Sequence, residues 1–300
     1  MTIIRAAVKN YLLCMKSRRE VPLAYTLPAI ISMTLACRGI PPLWATLKLF
    51  ISIIFVAYGV YFYNDIMDVE DDLKNKELGN PIPASRPLAS GKISRRMMFI
   101  YTFISLFIGL TLAFLINLKV FFILSIYIIL GILYSTEPIK LKKRFPMKRI
   151  VIASGIALTN LAGAYAVGAI NPAILYLTIL NFAIFAGVGP IVDIRDIKGD
   201  RVIGVKTIPI VLGPEMTVRL AIGVLIASNI ATILGYSKIG FNIVMPILFS
   251  LVIITWIYVM YPLMKRWSDP IYLNKIIQKR ILPLFLILQI IMLIGILSPP

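Results

Sequence analysis

Long apolar runs constrain the fold of this 300-residue chain more than any other feature of its sequence. A membrane-crossing helix needs about 20 consecutive apolar residues, and run after run reaches that length. The mean hydropathy is +0.91, and 59% of the residues are hydrophobic, too many for a soluble domain of this size to bury. A transmembrane β-barrel would instead alternate apolar and polar residues. The sequence therefore predicts an all-α, polytopic membrane protein.

Nine of these runs are predicted to be transmembrane helices arranged around a central cavity. They cover residues 21–37, 42–63, 97–117, 119–136, 150–169, 173–192, 214–235, 241–263 and 281–298. Residues 1–20 place apolar and basic side chains at helical spacing, which predicts an amphipathic helix on the membrane surface. We expect one domain over residues 1–300.

Basic residues indicate the orientation of the chain in the membrane. Segments 1–20, 64–96, 137–149, 193–213 and 264–280 would lie on one side, and they hold 26 of the 31 Lys and Arg residues. Because cytoplasmic loops are rich in Lys and Arg, we expect these segments and the N-terminus in the cytoplasm and the C-terminus outside. The net charge of +18 then faces anionic lipid and an anionic substrate. No nucleic acid is expected as a partner.

Two acidic stretches follow apolar runs on that side, and they are predicted to form the active-site loops 64–96 and 193–213. The stretches themselves, residues 64–72 and 193–200, hold eight of the chain's 13 acidic residues. If the second helix continues past the membrane edge, Asn64, Asp68 and Asp72 share one face at spacing i, i+4 and i+8.

The second acidic stretch repeats this arrangement on the sixth helix, where Asp193, Asp196 and Asp200 share a face. This repetition predicts two four-helix units plus one further helix. Two opposed carboxylate faces repel each other unless a cation lies between them. Because the ligands are oxygens and the chain has no histidine, we expect Mg²⁺, with Mn²⁺ as a substitute, and a di- or triphosphate.

Basic residues stand where a diphosphate would need them. Lys140 and Lys142 follow the turn from Tyr134 to Pro138, and Arg86 lies after the second helix. Such cations bind phosphate oxygens through charge-assisted hydrogen bonds. The alternative is that they only mark the cytoplasmic side.

Four segments resemble, in order, the signature motifs of the UbiA-type intramembrane prenyltransferase superfamily. They are Asn64-Asp65-x-x-Asp68-x-x-x-Asp72, the segment 85–94, Tyr134-Ser135-x-x-Pro138-x-x-Leu141-Lys142 and Asp193-x-x-Asp196-x-x-Gly199-Asp200-Arg201. The style of the motifs is closest to the archaeal ether-lipid and chlorophyll synthase-like branches.

The resemblance implies an enzyme that ionises an isoprenoid diphosphate, such as geranylgeranyl diphosphate, with two Mg²⁺ ions. It transfers the prenyl group to a lipophilic acceptor in the membrane, either a glycerol-phosphate lipid or an aromatic or quinone precursor. The implied metal ligands are Asn64, Asp65, Asp68, Asp72, Asp193, Asp196 and Asp200. The implied catalytic residues are Asp68, Asp72, Asp196 and Asp200. The implied diphosphate-binding residues are Asn64, Lys140, Lys142, Arg86 and Tyr134. Glu70 and Asp71 match no motif position and are expected to give electrostatic support at most.

A secondary transporter of a phosphorylated or cationic solute is the competing class. Transporters place ionisable groups near the bilayer midplane on broken helices. Here the acids end helices beside basic loops, which favours a phosphate–metal site and hence the prenyltransferase.

Overall fold

The computed structural model describes residues 2–19, 21–77, 86–168 and 170–297. Within these ranges the regular structure is entirely helical, which confirms the all-α class. Among the described residues, eight helices are long and apolar enough to cross a membrane, or nine if the bent pair at the N-terminus counts as one span. Part of the predicted loop 64–96, including Ser85 of the second motif, lies outside the described residues.

The helices are numbered in chain order. They are α1 (Thr2–Lys16), α2 (Val21–Cys37), α3 (Leu43–Met67), α4 (Val69–Glu77), α5 (Arg95–Ile116), α6 (Leu118–Ser135), α7 (Met147–Ala166), α8 (Pro172–Ala183), α9 (Pro190–Val202), α10 (Ile208–Leu212), α11 (Pro214–Ile239), α12 (Val244–Met260), α13 (Leu263–Arg266), α14 (Pro270–Ile276) and α15 (Leu282–Leu297). π-Helical turns at Ile184–Val188 and Ile277–Ile281 connect α8 to α9 and α14 to α15. Eight of the predicted apolar runs each coincide with one of the longer helices, whereas the run 173–192 covers α8, the π-helical turn and the start of α9.

Both acidic stretches are helical where loops were expected. α3 ends at Met67 and α4 begins at Val69, with Asp68 between them. The amides of Asp68 and Asp72 still donate to the carbonyls four residues earlier, at 2.9 and 2.8 Å. The helical path therefore continues past the predicted span, and α9 likewise carries its acids as far as Val202.

Two apolar clusters form the interior of the bundle. One is built mainly from α1–α3 and α5–α7, and the other from α8, α9 and α11–α15 with the C-terminal parts of α2 and α7. The first cluster holds the first predicted unit together with α7, the fifth span, so the division differs by one helix from the two predicted four-helix units. α2 packs along α7, so these two helices connect the clusters.

α3 and α5 approach each other closely because Gly109 has no side chain at their contact. Ser52 Oγ donates to the carbonyl oxygen of Gly109 at 2.7 Å. A Cβ atom at Gly109 would lie 2.8 Å from the backbone nitrogen of Val56. Small residues at helix interfaces allow such close packing in membranes. This contact sets the position of α3, whose last turn carries the first acidic group.

One face of α1 packs on the bundle. Tyr11 Oη and Ser105 Oγ are hydrogen-bonded at 2.8 Å, and the Tyr101 hydroxyl donates to the carbonyl of Ala7 at 2.9 Å. Val8 and Leu12 face outward and are available to a bilayer surface. The turn after α1 directs Arg18 into the interior, where it is buried.

We expect Gly109→Ala to destabilise the protein by about 1–3 kcal/mol, because the added methyl group meets backbone atoms that cannot rotate away. The thermal unfolding midpoint in detergent would measure this. Gly223→Ala is the control, since a Cβ atom there meets nothing within 4 Å. Equal midpoints for the two variants would contradict the close approach of α3 and α5.

Candidate active site

The junction of α3 and α4 carries the first acidic group. Asn64 Nδ2 donates to Asp68 Oδ2 at 2.7 Å and to Ser135 Oγ at 2.8 Å, which connects α3 to the end of α6. The carboxylates of Asp68 and Asp72 are buried. Burial of an ionised carboxylate is costly unless a partner neutralises it.

Cations from two other segments supply these partners. Lys142 Nζ lies 2.5 Å from Asp68 Oδ1 and 3.2 Å from Asp71 Oδ2. Arg86 Nη1 donates to Asp72 Oδ2 at 2.6 Å. The chain after α6 and the chain before α5 are therefore both held against the junction of α3 and α4.

α9 carries the second acidic group, and the first turn of α7 supplies its cations. Arg149 contacts both carboxylate oxygens of Asp193, through Nε and Nη2, at 2.5 Å each. Lys148 Nζ lies 3.1 Å from Asp193 Oδ1 and 2.9 Å from Asp200 Oδ2. Both oxygens of Asp193 are thus occupied by cations.

Asp196 differs from its neighbours on α9. Its side chain is 26% exposed, against 2% for Asp193 and 10% for Asp200. Its ion pair is with the adjacent Arg195, at 3.0 Å. Asp196 is therefore the carboxylate of this group that is most open to a ligand.

Both acidic groups open into one cavity of about 350 Å³. Its charged end is lined by Arg18, Asn64, Asp68, Asp71, Asp72, Arg86, Lys142, Lys148, Arg149, Asp193, Arg195, Asp196 and Asp200. The rest of the lining is mainly apolar and aromatic, and includes Tyr25, Val60, Tyr61, Tyr127, Leu130, Tyr134, Val151 and Ile152. This arrangement suits an amphiphile with an anionic head and an apolar tail.

Most of the predicted site residues line this cavity, but Asp65 and Lys140 do not. Asp65 is 1% exposed and pairs with Arg18 and, at 3.3 Å, with Arg86. Lys140 Nζ lies 3.4 Å from Asp71. Asp71 lines the cavity, although it matches no motif position. Asp65 and Lys140 thus act on the site through the residues that they contact.

Burial and neighbouring cations act on the pKa values of two aspartates on α4, Asp71 and Asp72. Burial raises the pKa of Asp72 to about 6, although Arg86 acts in the opposite direction. Burial also raises the pKa of Asp71, but Lys142 and Lys140 outweigh it and hold that pKa below its ordinary value. Asp71 is therefore a fixed negative charge between two lysines.

A model of the UbiA prenyltransferase family matches residues 25–270. The chain belongs to the UbiA prenyltransferase family. All four motifs lie within the matched region, so the resemblance seen in the sequence is confirmed.

Relatives of this UbiA family member include digeranylgeranylglyceryl phosphate synthase from Pyrococcus furiosus. The two are 32% identical over 192 residues, which cover 64% of this chain and 65% of the relative, slightly less than two thirds of its length. A solved structure of a digeranylgeranylglyceryl phosphate synthase in membranes has a TM-score of 0.75 at 25% identity, covering 97% of this chain and 99% of that one. A UbiA homologue from Archaeoglobus fulgidus bound to DMAPP and Mg²⁺ has a TM-score of 0.73 at 22% identity, with the same coverage, which shows a shared fold.

Three cations of the site, Arg18, Lys148 and Arg149, lie outside the UbiA motifs. In the sequence their charge predicts only the cytoplasmic side of the membrane. Arg18 precedes the region matched by the family, and its Cζ lies 5.0 Å from the centroid of the Tyr61 ring. Lys148 and Arg149 are the last basic residues before an apolar run, and this position is the only sequence signal that could have identified them.

We expect Arg149→Leu to lower the free energy of unfolding by about 3–5 kcal/mol, because it leaves the buried Asp193 without its two-point partner. Arg219→Leu is the control. It breaks an exposed pair with Glu215 at 2.6 Å, and such pairs contribute less than about 1 kcal/mol. Denaturant unfolding in detergent would compare the two, and equal losses would contradict the role of Arg149.

Proposed function

We propose that this protein transfers a geranylgeranyl group from geranylgeranyl diphosphate to the hydroxyl oxygen of a glycerol-phosphate lipid. One observation carries the proposal: two carboxylate groups and their cations face each other at the end of a cavity that continues as an apolar, aromatic space. The diphosphate belongs at the charged end and the prenyl tail in the apolar part. The resemblance to digeranylgeranylglyceryl phosphate synthases supports the choice of donor and acceptor.

Mg²⁺ fits the donor set at the charged end. The residues that would hold it are Asn64, Asp68 and Asp72 on one side, and Asp196 and Asp200 on the other. All are oxygen donors, which hard divalent cations prefer. In the described part of the chain, no three carboxylates converge on one point, because each is drawn towards a lysine or an arginine. When bound, Mg²⁺ neutralises the negative charge of the leaving diphosphate.

We include in the proposal one ion for each acidic group, hence two in total, with Mn²⁺ as a substitute. Asp193 is not included among the proposed metal ligands, because Arg149 and Lys148 contact both of its carboxylate oxygens. Its part is to hold these two cations at the edge of the cavity. The A. fulgidus homologue, which was solved with Mg²⁺ and DMAPP, has the same fold.

The cations that neutralise the carboxylates are also the groups that would bind the diphosphate. Lys142 and Arg86 lie on the cavity wall beside Asp68 and Asp72, and Lys148 reaches it from α7. As the allylic C–O bond breaks, the diphosphate keeps the electron pair, and hydrogen bonds from these cations stabilise its growing charge.

The apolar part of the cavity protects the allylic cation that remains. Val60, Leu130 and Ile152 give apolar wall positions beside the tyrosine rings, and this lining limits the access of water to the cation. The acceptor hydroxyl oxygen forms the new C–O bond, and its proton passes to the released diphosphate. A transporter is disfavoured, because the chain belongs to a prenyltransferase family and its acids end helices.

Prenyl transfer with labelled geranylgeranyl diphosphate and geranylgeranylglyceryl phosphate tests the proposal. We expect product with Mg²⁺, none with EDTA, and a loss of at least about 100-fold in Asp68→Asn and Asp196→Asn, as when one charge-stabilising group is removed. Asp269→Asn is the control, since this residue is partly exposed and pairs with Arg266 at 3.5 Å. Full turnover in Asp68→Asn or in EDTA would contradict the mechanism, and product only with an aromatic acceptor would reassign the acceptor.

We also propose that the N-terminus and the charged end of the cavity face the cytoplasm and that the C-terminus lies outside. The basic residues of the inner segments support this orientation. The two native cysteines provide a test, because Cys37 is exposed at the far end of α2 and Cys14 is buried.

We expect a membrane-impermeant maleimide to label intact cells that express this protein, and Cys37→Ser to abolish the label. Cys14 is the internal negative control, because its thiol is buried. Labelling that requires disruption of the membrane would reverse the orientation.

A further inference from the structure

Three tyrosines line the cavity beyond its acidic groups, and Arg18 Cζ lies 5.0 Å from the ring centroid of one of them, Tyr61. We refer to Tyr25, Tyr61 and Tyr127, which come from α2, α3 and α6, as the tyrosine floor. The rings of Tyr25 and Tyr127 meet edge to face, with centroids 5.5 Å apart, and the hydroxyls of Tyr25 and Tyr61 are 3.2 Å apart. Edge-to-face contacts of this kind are favourable, so each ring helps to hold the next in place.

Gly155 on α7 supports the floor from one side. A Cβ atom at this position would lie 2.8 Å from Tyr127 Cε2 and 3.3 Å from Tyr25 Cε1. The two rings are therefore in close contact with the α7 backbone and cannot move further towards it. The absence of a side chain at Gly155 sets how deep the cavity can be.

The depth of the cavity follows from the positions of its lining residues along the helices. On α6, Tyr134 lines the wall near the charged end and Tyr127 forms part of the floor, a separation of about 10 Å at 1.5 Å per residue. On α7, Arg149 and Gly155 are separated by about 9 Å along the helix. An isoprene unit adds four chain bonds of about 1.5 Å, so its extended length is roughly 5 Å. The space between the diphosphate position and the floor matches two units.

We infer that the tyrosine floor determines the prenyl-chain selectivity of the cavity. The first two isoprene units lie between the charged end and the floor, and every further unit must turn aside at the rings or displace them. This inference rests on the proposed function, because it assumes an isoprenoid diphosphate donor. It assigns to Tyr127 and Gly155 a part in recognition of the tail, which none of the four motifs includes.

Dissociation constants of three donors test the inference without any acceptor. Dimethylallyl, geranyl and geranylgeranyl diphosphate, with one, two and four isoprene units, would be titrated with Mg²⁺ into the detergent-solubilised protein by calorimetry. In Tyr127→Ala we expect the affinity for geranylgeranyl diphosphate, relative to that for geranyl diphosphate, to be about tenfold higher than in the wild type. The reason is that removal of the ring makes room for one more buried isoprene unit.

Gly155→Ala is expected to act in the opposite direction. The added methyl group pushes the rings of Tyr127 and Tyr25 into the cavity. The affinity for geranyl diphosphate, relative to that for dimethylallyl diphosphate, should therefore fall about three- to tenfold. Tyr101→Ala is the matched control. Tyr101 is also buried, but it bonds to the carbonyl of Ala7 at the α1–α5 contact, outside the cavity. Its variant should keep the wild-type ratios.

Unchanged ratios in folded Tyr127→Ala and Gly155→Ala proteins would overturn the inference, as would the same shift in Tyr101→Ala. Size-exclusion profiles and unfolding midpoints would establish that the variants are folded, and Tyr127→Leu replaces Tyr127→Ala if the smaller side chain prevents folding. A wild-type protein that binds none of the three donors would instead contradict the proposed function. The two failures are therefore distinguishable.

Discussion

The cost of burying carboxylates inside an apolar bundle is the constraint on which the site depends. An ionised carboxylate without a partner is expensive in such surroundings, and removal of one partner from a buried pair is strongly destabilising. Asp68, Asp72 and Asp193 are therefore held by cations from other segments. Every such pair also connects two parts of the chain. The electrostatic requirement of the acids thus organises the charged end of the bundle.

α7 shows how this requirement shapes the fold. Its first turn gives Lys148 and Arg149 to the acids of α9, and its body packs along α2. Two turns further on, the bare backbone at Gly155 contacts the tyrosine floor. One helix thus positions the charged end, joins the two apolar clusters and supports the opposite end of the cavity. A shift of α7 along its axis would change all three together.

A cavity that combines a charged part with an apolar part is suited to an amphiphilic substrate. The cations that neutralise Asp68 and Asp72 lie on the same wall of the cavity as those acids. An anion that enters the cavity can therefore bind to the same cations. The apolar part excludes water and holds a tail, which a phosphate site at a protein surface could not do. Both properties arise because the acidic groups stand at the ends of membrane helices, where the aqueous phase meets the bundle interior.

The sequence by itself determined the helical membrane architecture, the approximate spans and the family, because hydrocarbon thickness sets helix length and the motifs are local. It also predicted that the acids of α3 and α9 share one site. The tertiary structure decided which cations complete that site and which residues stand behind it. Arg18 reaches the cavity only because α1 packs on α5, and Asp65 lies behind the wall because its side chain points from another face of α3. The positions of these two side chains relative to the cavity depend on how the helices pack against one another. The spacing of residues along a single helix does not specify that packing.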